Sequence, residues 1–163
     1  ATAQYADWLA GDLPIPVLSS DKCTAADIQE MPIVVMGSSV YIGKLQIVAW
    51  IKTNAQLLKD KTLFLYIVSG TPLNDKAALD TYVRNNVPEE IASACHIYFL
   101  PGRLRYRGLS LKDKFMLNMG AWLSGSKEKR KKMLTDYDDV HRSHLQQLLN
   151  DIAMSVSNSK MQA

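Results

Sequence analysis

Between positions 35 and 43 the chain reads Val35-Met36-Gly37-Ser38-Ser39-Val40-Tyr41-Ile42-Gly43. Glycines at 37 and 43 let a backbone come close to a ligand. Ser38 and Ser39 add hydroxyls, Val40 and Ile42 add apolar surface, and Tyr41 offers a face for stacking. Such a run suits a flat ring with its polar edge against the backbone; the plain alternative is a strand-to-helix turn with a surface tyrosine. Ser69, Gly70 and Thr71 make a second small, hydroxyl-bearing loop, either facing the same ring or serving as an ordinary turn. Thr2 precedes a helix, as a simple N-cap or as a hydroxyl for an anion held by the helix amides and dipole. Arg103, Arg105, Tyr106 and Arg107 can meet an anionic partner through charge-assisted hydrogen bonds, or form a solvated loop. His141 and His144 share a helical face, but zinc needs more ligands, so they read as surface residues. Cys23 and Cys95 are far apart and outside any redox or metal spacing, as expected of reduced thiols in a cytoplasmic protein. No Ser/His/Asp set or paired-carboxylate pattern competes.

Composition sets few further limits. The 163 residues suit one domain with its own core, expected to span 1–163, with an insertion-like segment at 102–136. Apolar residues at 47% and charged residues at 21% are ordinary for a globular chain, which excludes disordered and collagen-like classes. The net charge of +3 is too small to argue for nucleic acid. The apolar runs are too short to span a bilayer.

The elements that must hold these residues alternate. Helical spacing of Tyr5, Trp8, Leu9 and Leu13 predicts a helix from Ala3, stopped by Pro14 and Pro16. Pro16–Ser19 reads as a short strand, and Thr24 with Asp27 has capping-box spacing for a brief helical turn. The apolar runs Ile33–Met36, Thr62–Val68 and His96–Leu100 read as strands covered on both faces, ending at Gly37, Ser69 and Pro101. Helices are expected over Leu45–Leu58 and Asp75–Asn85, then from Ser110 to Leu123 and over Asp138–Ala153, with a frayed polar tail from Ser155. Strands alternating with helices imply right-handed crossovers and a parallel sheet whose ligands sit beyond the strands' carboxyl ends. The loops Gly37–Lys44, Ser69–Asn74 and Pro101–Gly108 should therefore share one edge.

On four segments the chain resembles the flavodoxin-like superfamily, and more narrowly its menaquinone-dependent protoporphyrinogen oxidase branch. These are Thr2 to Ala6, Val35 to Gly43, Leu104-Arg105-Tyr106 with Asp113, Phe115 and Met116, and Leu123-Ser124-Gly125 through Thr135-Asp136-Tyr137. The resemblance implies an α/β fold: a flavodoxin-like three-layer α/β/α sandwich with a doubly wound parallel sheet. It implies FMN as cofactor, with Thr2 at the phosphate, Gly37 to Gly43 at the ring, and Ser69, Gly70 and Thr71 on the ring's other side. The family's first strand and most of its phosphate loop have no counterpart ahead of Thr2, so they are expected to be absent from these residues. The implied function is that of an FMN-dependent oxidoreductase and electron-transfer protein, quinone-linked, with Arg103, Arg105, Tyr106 and Arg107 facing propionates of a porphyrin.

Two other functions fit the same residues: a flavodoxin-type carrier exchanging electrons with a redox partner protein, and a non-catalytic module that no longer binds flavin. The apolar helix Leu111–Leu123 and the basic run Lys127–Lys132 admit peripheral contact with an anionic membrane. They equally admit a helix packed in the core or in a homodimer, followed by a solvated loop. The basic run lacks interleaved aromatics, so no nucleic-acid partner is expected.

Overall fold

The structure is a computed structural model describing residues 1–123 and 134–161. The basic run Lys127–Lys132 lies outside them, as do Ser124, Gly125 and Ser126.

The sheet is built around β3 (Thr62–Ser69), where every residue from Leu63 to Ser69 is buried. Its side chains alternate between two cores. Leu63, Leu65 and Ile67 join Met36, Ile51, Leu58, Val87 and Ile91 on one face. Phe64, Tyr66 and Val68 join Tyr5, Leu9, Leu145, Leu148 and Ile152 on the other. This two-sided burial explains why the strand reads as a continuous apolar run.

β1 (Ile33–Tyr41) and β4 (Cys95–Pro101) flank β3, both parallel to it, and two-residue β2 (Lys44–Leu45) pairs antiparallel with the end of β1. The order is β2-β1-β3-β4. One face carries α1 (Thr2–Asp12) and α7 (Gln146–Met161); the other carries α2 (Ala25–Glu30), α3 (Val48–Leu58), α4 (Lys76–Asn86) and α5 (Glu89–Ala94). A small ribbon of β5 (Arg103–Leu104) and β6 (Tyr137–Asp138) lies apart, with a 3-10 turn (Tyr106–Gly108) and α6 (Leu111–Leu123) between its strands.

Local chemistry sets several boundaries. Thr24 and Asp27 form both halves of the capping box. Tyr5 and Leu9, one turn apart, bury the inner face of α1, and Trp8 packs edge-on against Tyr5 at 5.6 Å. Beyond Leu13 the two prolines prevent continuation.

Several expected boundaries require correction. Pro16–Ser19 is not a strand: Val17 and Leu18 are exposed, and the segment joins no ladder among the described residues. A strand needs a neighbour for its backbone groups, and here none is offered. β1 does not stop at Gly37 but runs on to Tyr41, held by pairing with β3 through Ser39. α3 starts at Val48, because Leu45 belongs to β2. The last helix is preceded by a 3-10 turn (Arg142–Leu145) and continues to Met161, past the expected fraying at Ser155. α5 follows Pro88, with Glu89 and Glu90 in its first turn, where the helix dipole favours them. On the side away from β3, the Ile33–Ser39 stretch of β1 has no ladder partner among the described residues.

Candidate functional site

The carboxyl ends of β1, β3 and β4 point the same way, so Tyr41, Ser69 and Pro101 end at one edge. The start of α1 is fixed at that edge. Tyr5 donates its hydroxyl to the Pro101 carbonyl at 2.9 Å, and Tyr66 donates to the Thr2 carbonyl at 3.3 Å. Burial pushes the Tyr66 phenol up to about 12, so it remains a donor. Gly37, paired with Tyr66 across the ladder, makes room for that ring: a Cβ at 37 would collide with its Cζ and Oη. Gly37 therefore acts on α1 through Tyr66.

The serines of the motif hold the next turn. Ser38 is buried; its Oγ accepts the Ile47 N–H at 3.3 Å and donates to the Ser39 carbonyl at 3.2 Å. Ser39 bonds the Gln46 side chain and accepts the Gln46 N–H at 3.2 Å. Val40 and Tyr41 pair with Leu45 and Lys44, leaving Ile42 and Gly43 as a two-residue hairpin tip. Their φ values are 50° and 72°, both positive as in a type I′ turn. At Gly43 this is easy, but at β-branched Ile42 it is strained. Such strain persists where surroundings enforce it and clusters at ligand sites.

The enforcing residue is Asn86, which the sequence did not single out. It is buried at the end of α4. Its amide nitrogen donates to the Gly43 carbonyl at 3.0 Å and the Tyr82 carbonyl at 2.8 Å; its oxygen accepts the Leu45 N–H at 3.2 Å. A polar residue in the last turn of an otherwise regular helix was the only available signal.

Tyr41 is 46% exposed, and its hydroxyl donates to Asp113 at 2.5 Å, tying the hairpin to α6. That bond raises the Tyr41 phenol and, with one from Ser110, holds Asp113 below the usual carboxylate value.

The second loop is equally tight. The Thr71 N–H bonds Ser69 Oγ at 3.2 Å, and the Thr71 and Tyr82 hydroxyls are 2.8 Å apart. Tyr137 closes over Gly70, where a Cβ would strike its hydroxyl. Tyr137 is the second residue missed; it lies far along the chain and reaches the loop only because β6 pairs with β5. Gly102 donates its N–H to the Ser69 carbonyl at 2.9 Å, joining the loops after β3 and β4.

Thr2 does not cap α1. The helix has no side-chain cap, and the Thr2 hydroxyl oxygen is buried without a hydrogen-bond partner. Arg103 is engaged: it bonds the Gln4 side chain and lies 3.4 Å from Asp138. Arg105 is exposed, and the Tyr106 hydroxyl accepts from Asn118 at 2.7 Å. The Arg107 side chain lies outside the described residues. His141 and His144 each place Nε2 3.7 Å from Asp139 Oδ1, and His144 is only partly exposed, rather than the surface residue expected. Among the described residues no group of three or more His, Cys, Asp or Glu is arranged to hold a metal. Burial lifts the Cys95 thiol to about 12, which leaves it unreactive. A groove of about 510 Å³ lies along β4 between α4 and α7; of the three loops it takes in only Leu73.

A family model for the flavodoxin domain matches residues 1–131. The chain belongs to the flavodoxin-domain family. The mostly parallel sheet with helices on both faces is the architecture expected of a flavodoxin domain. Flavodoxin domains are an FMN-binding, electron-transfer fold. No curated protein and no solved structure matches the chain. Among the described residues of this flavodoxin domain, no helix is long and apolar enough to cross a membrane.

Proposed function

We propose that this flavodoxin domain binds FMN at the carboxyl edge of its sheet and transfers electrons there. The observation that carries the reading is the Thr2 hydroxyl, buried without a partner in the first turn of α1. An unsatisfied buried polar group costs about 1–3 kcal/mol. A phosphate on the helix amides would remove that cost, and the dipole favours an anion at that end. In the same reading the Ile42–Gly43 tip and Tyr41 lie along one side of the ring. Ser69, Gly70 and Thr71, backed by Tyr137 and Tyr82, take the other. FMN, when bound, supplies the electron-carrying chemistry, while the protein orients it and sets its surroundings.

The test is a visible spectrum of the purified protein and an FMN titration followed by fluorescence. Quenching at stoichiometric FMN is expected. Thr2→Val removes the hydroxyl at nearly constant shape. A hydrogen bond to a charged group contributes about 1.5–3 kcal/mol, so FMN affinity should fall roughly tenfold to hundredfold while the fold stays intact. Failure to bind FMN refutes the reading; unchanged affinity in Thr2→Val refutes the role of Thr2.

Within this reading we infer a quinone as small-molecule electron partner and a porphyrinogen as substrate. The support is the oxidase-like segment around Leu104-Arg105-Tyr106 and the exposure of Arg105. FMN-loaded protein that fails to oxidise protoporphyrinogen with a quinone present removes this finer reading and leaves an electron carrier.

A further inference from the structure

We propose that the open edge of β4 pairs with the same edge of a second copy, joining two sheets across a two-fold axis. β4 (Cys95–Pro101) ends the sheet: its one ladder partner among the described residues is β3. Gly102 donates its N–H to the Ser69 carbonyl at the end of β3. Alternation along a regular strand then turns the backbone groups of Leu100 and Tyr98 the same way, and those of Ile97 and Phe99 outward. Pro101, which has no N–H to give, falls in the outward set, where a strand tolerates it.

An open edge is a template for another strand, and proteins guard it with charges, bulges or short length. β4 has none of these guards. Its seven residues read Cys-His-Ile-Tyr-Phe-Leu-Pro, without a lysine or an acid, and they pair with β3 in unbroken register. Ile97, Tyr98 and Phe99 are only half-buried, and Leu73 beside them is 46% exposed. These residues line the groove between α4 and α7, which follows β4 from His96 to Leu100.

Charge complementarity selects the occupant. Lys76 and Asp80 stand one turn apart on the α4 wall of the groove, both exposed, and neither side chain has an ion-pair or hydrogen-bond partner among the described residues. A lysine N-terminal to its acid is the weaker order for pairing within a helix. On the α7 wall, Asp151 is engaged by the Tyr98 hydroxyl at 2.5 Å and His144 lies 3.7 Å from Asp139, so the free charges are those of α4. Two β4 edges joined antiparallel about an axis normal to the sheet keep each helix layer on its own side. α4 then runs antiparallel to α4 of the second copy. Tyr98 is the midpoint of the groove's strand and Ala78 the midpoint of the Lys76–Asp80 turn, so one axis serves both. Lys76 of each copy is set toward Asp80 of the other, giving two opposite-charge pairs from one surface. A strand from another protein would need a matching pair of its own; a second copy already carries it. Because the edges pair antiparallel, the two carboxyl edges of the joined sheet point opposite ways.

Sedimentation equilibrium of the full chain, with amide hydrogen exchange on the same samples, tests the proposal. The chain is expected to dimerise with a Kd of micromolar order, more weakly in added salt. Exchange at Ile97 and Phe99 should slow as the dimer forms, while Tyr98 and Leu100, already turned toward β3, hold their rates. Asp80→Lys and Lys76→Asp should each raise Kd about tenfold or more by setting like charges together. Lys76→Asp with Asp80→Lys on one chain should restore the wild-type Kd, and an equimolar mixture of the two single variants should form a mixed dimer. This rescue separates lost pairing from lost folding. The proposal is overturned if the wild type stays monomeric up to about 100 μM, which would leave the edge to a strand of another protein. It is also overturned if a dimer forms without protecting Ile97 and Phe99, if the single variants dimerise as the wild type does, or if the reversed pair fails to restore the dimer.

Discussion

Gly37→Ala tests the seat beneath Tyr66. The added Cβ would meet Tyr66 Cζ, Oη and Cε1, and Tyr66 is only 3% exposed, so its ring has no open space to enter. Overpacking of a filled core costs about 1–3 kcal/mol. Replacing glycine within a strand returns about 0.5–1 kcal/mol through lower chain entropy in the unfolded state. The mid-range values leave a net destabilisation of about 1 kcal/mol. With a urea m-value of about 2 kcal/mol per M, the midpoint falls by about 0.5 M. The clash term depends on the ring, which a double-mutant cycle isolates. In a Tyr66→Leu background the clash is gone and Gly37→Ala becomes neutral or slightly stabilising. In Tyr66→Phe it remains largely destabilising, because the contact with Cζ survives. An equal loss from Gly37→Ala in the wild-type and Tyr66→Leu backgrounds would falsify the seat. So would no loss in the wild type. Since Tyr66 bonds the Thr2 carbonyl, Gly37→Ala should also weaken FMN binding if the proposed cofactor site holds.

Asn86→Ala leaves the Gly43 carbonyl and the Leu45 N–H without their side-chain partner. It should cost about 1–3 kcal/mol in urea denaturation, and a midpoint equal to wild type would show that the hairpin does not depend on Asn86. The pH dependence of the Tyr41–Asp113 tie has a definite sign. Asp113 is held below its ordinary 3.8 by Tyr41 first and Ser110 second, so the tie contributes above pH 3.8 and is lost as pH falls through the lower folded value. A carboxyl NMR titration should show Asp113 moving back toward 3.8 in Tyr41→Phe; an identical titration in both proteins would remove the tie.

The architecture was legible wherever burial left a one-dimensional trace. The run Thr62–Val68 announced a strand covered twice, and Thr24 with Asp27 announced a cap. The edge holding Gly37–Lys44, Ser69–Asn74 and Pro101–Gly108 followed from strand alternation alone. Errors arose where pairing overrode local preference. Gly37, Ser38 and Ser39 are weak strand formers and read as a loop, yet β3 holds them in register. The reverse happened at Pro16–Ser19, where residues suited to a strand have no partner. The Ile42–Gly43 turn was hidden because type I′ turns usually announce themselves with Asn-Gly, and here Asn86 makes an unfavourable residue acceptable.

The sequence by itself determined the layers, the three long parallel strands and which loops share the sheet's carboxyl edge. These depend on apolar periodicity, glycine, proline and capping residues, whose effects act over a few positions. Only the tertiary structure decided what each site residue does there. It made Gly37 a seat for Tyr66, left the Thr2 hydroxyl buried without a partner, and brought Asn86 to Gly43 and Tyr137 to Gly70. It also turned Leu111, Phe115 and Met119 outward, where helical spacing alone fixes a shared face but not its direction. Such outcomes depend on close approach between residues dozens of positions apart, which packing sets and spacing along the chain does not encode.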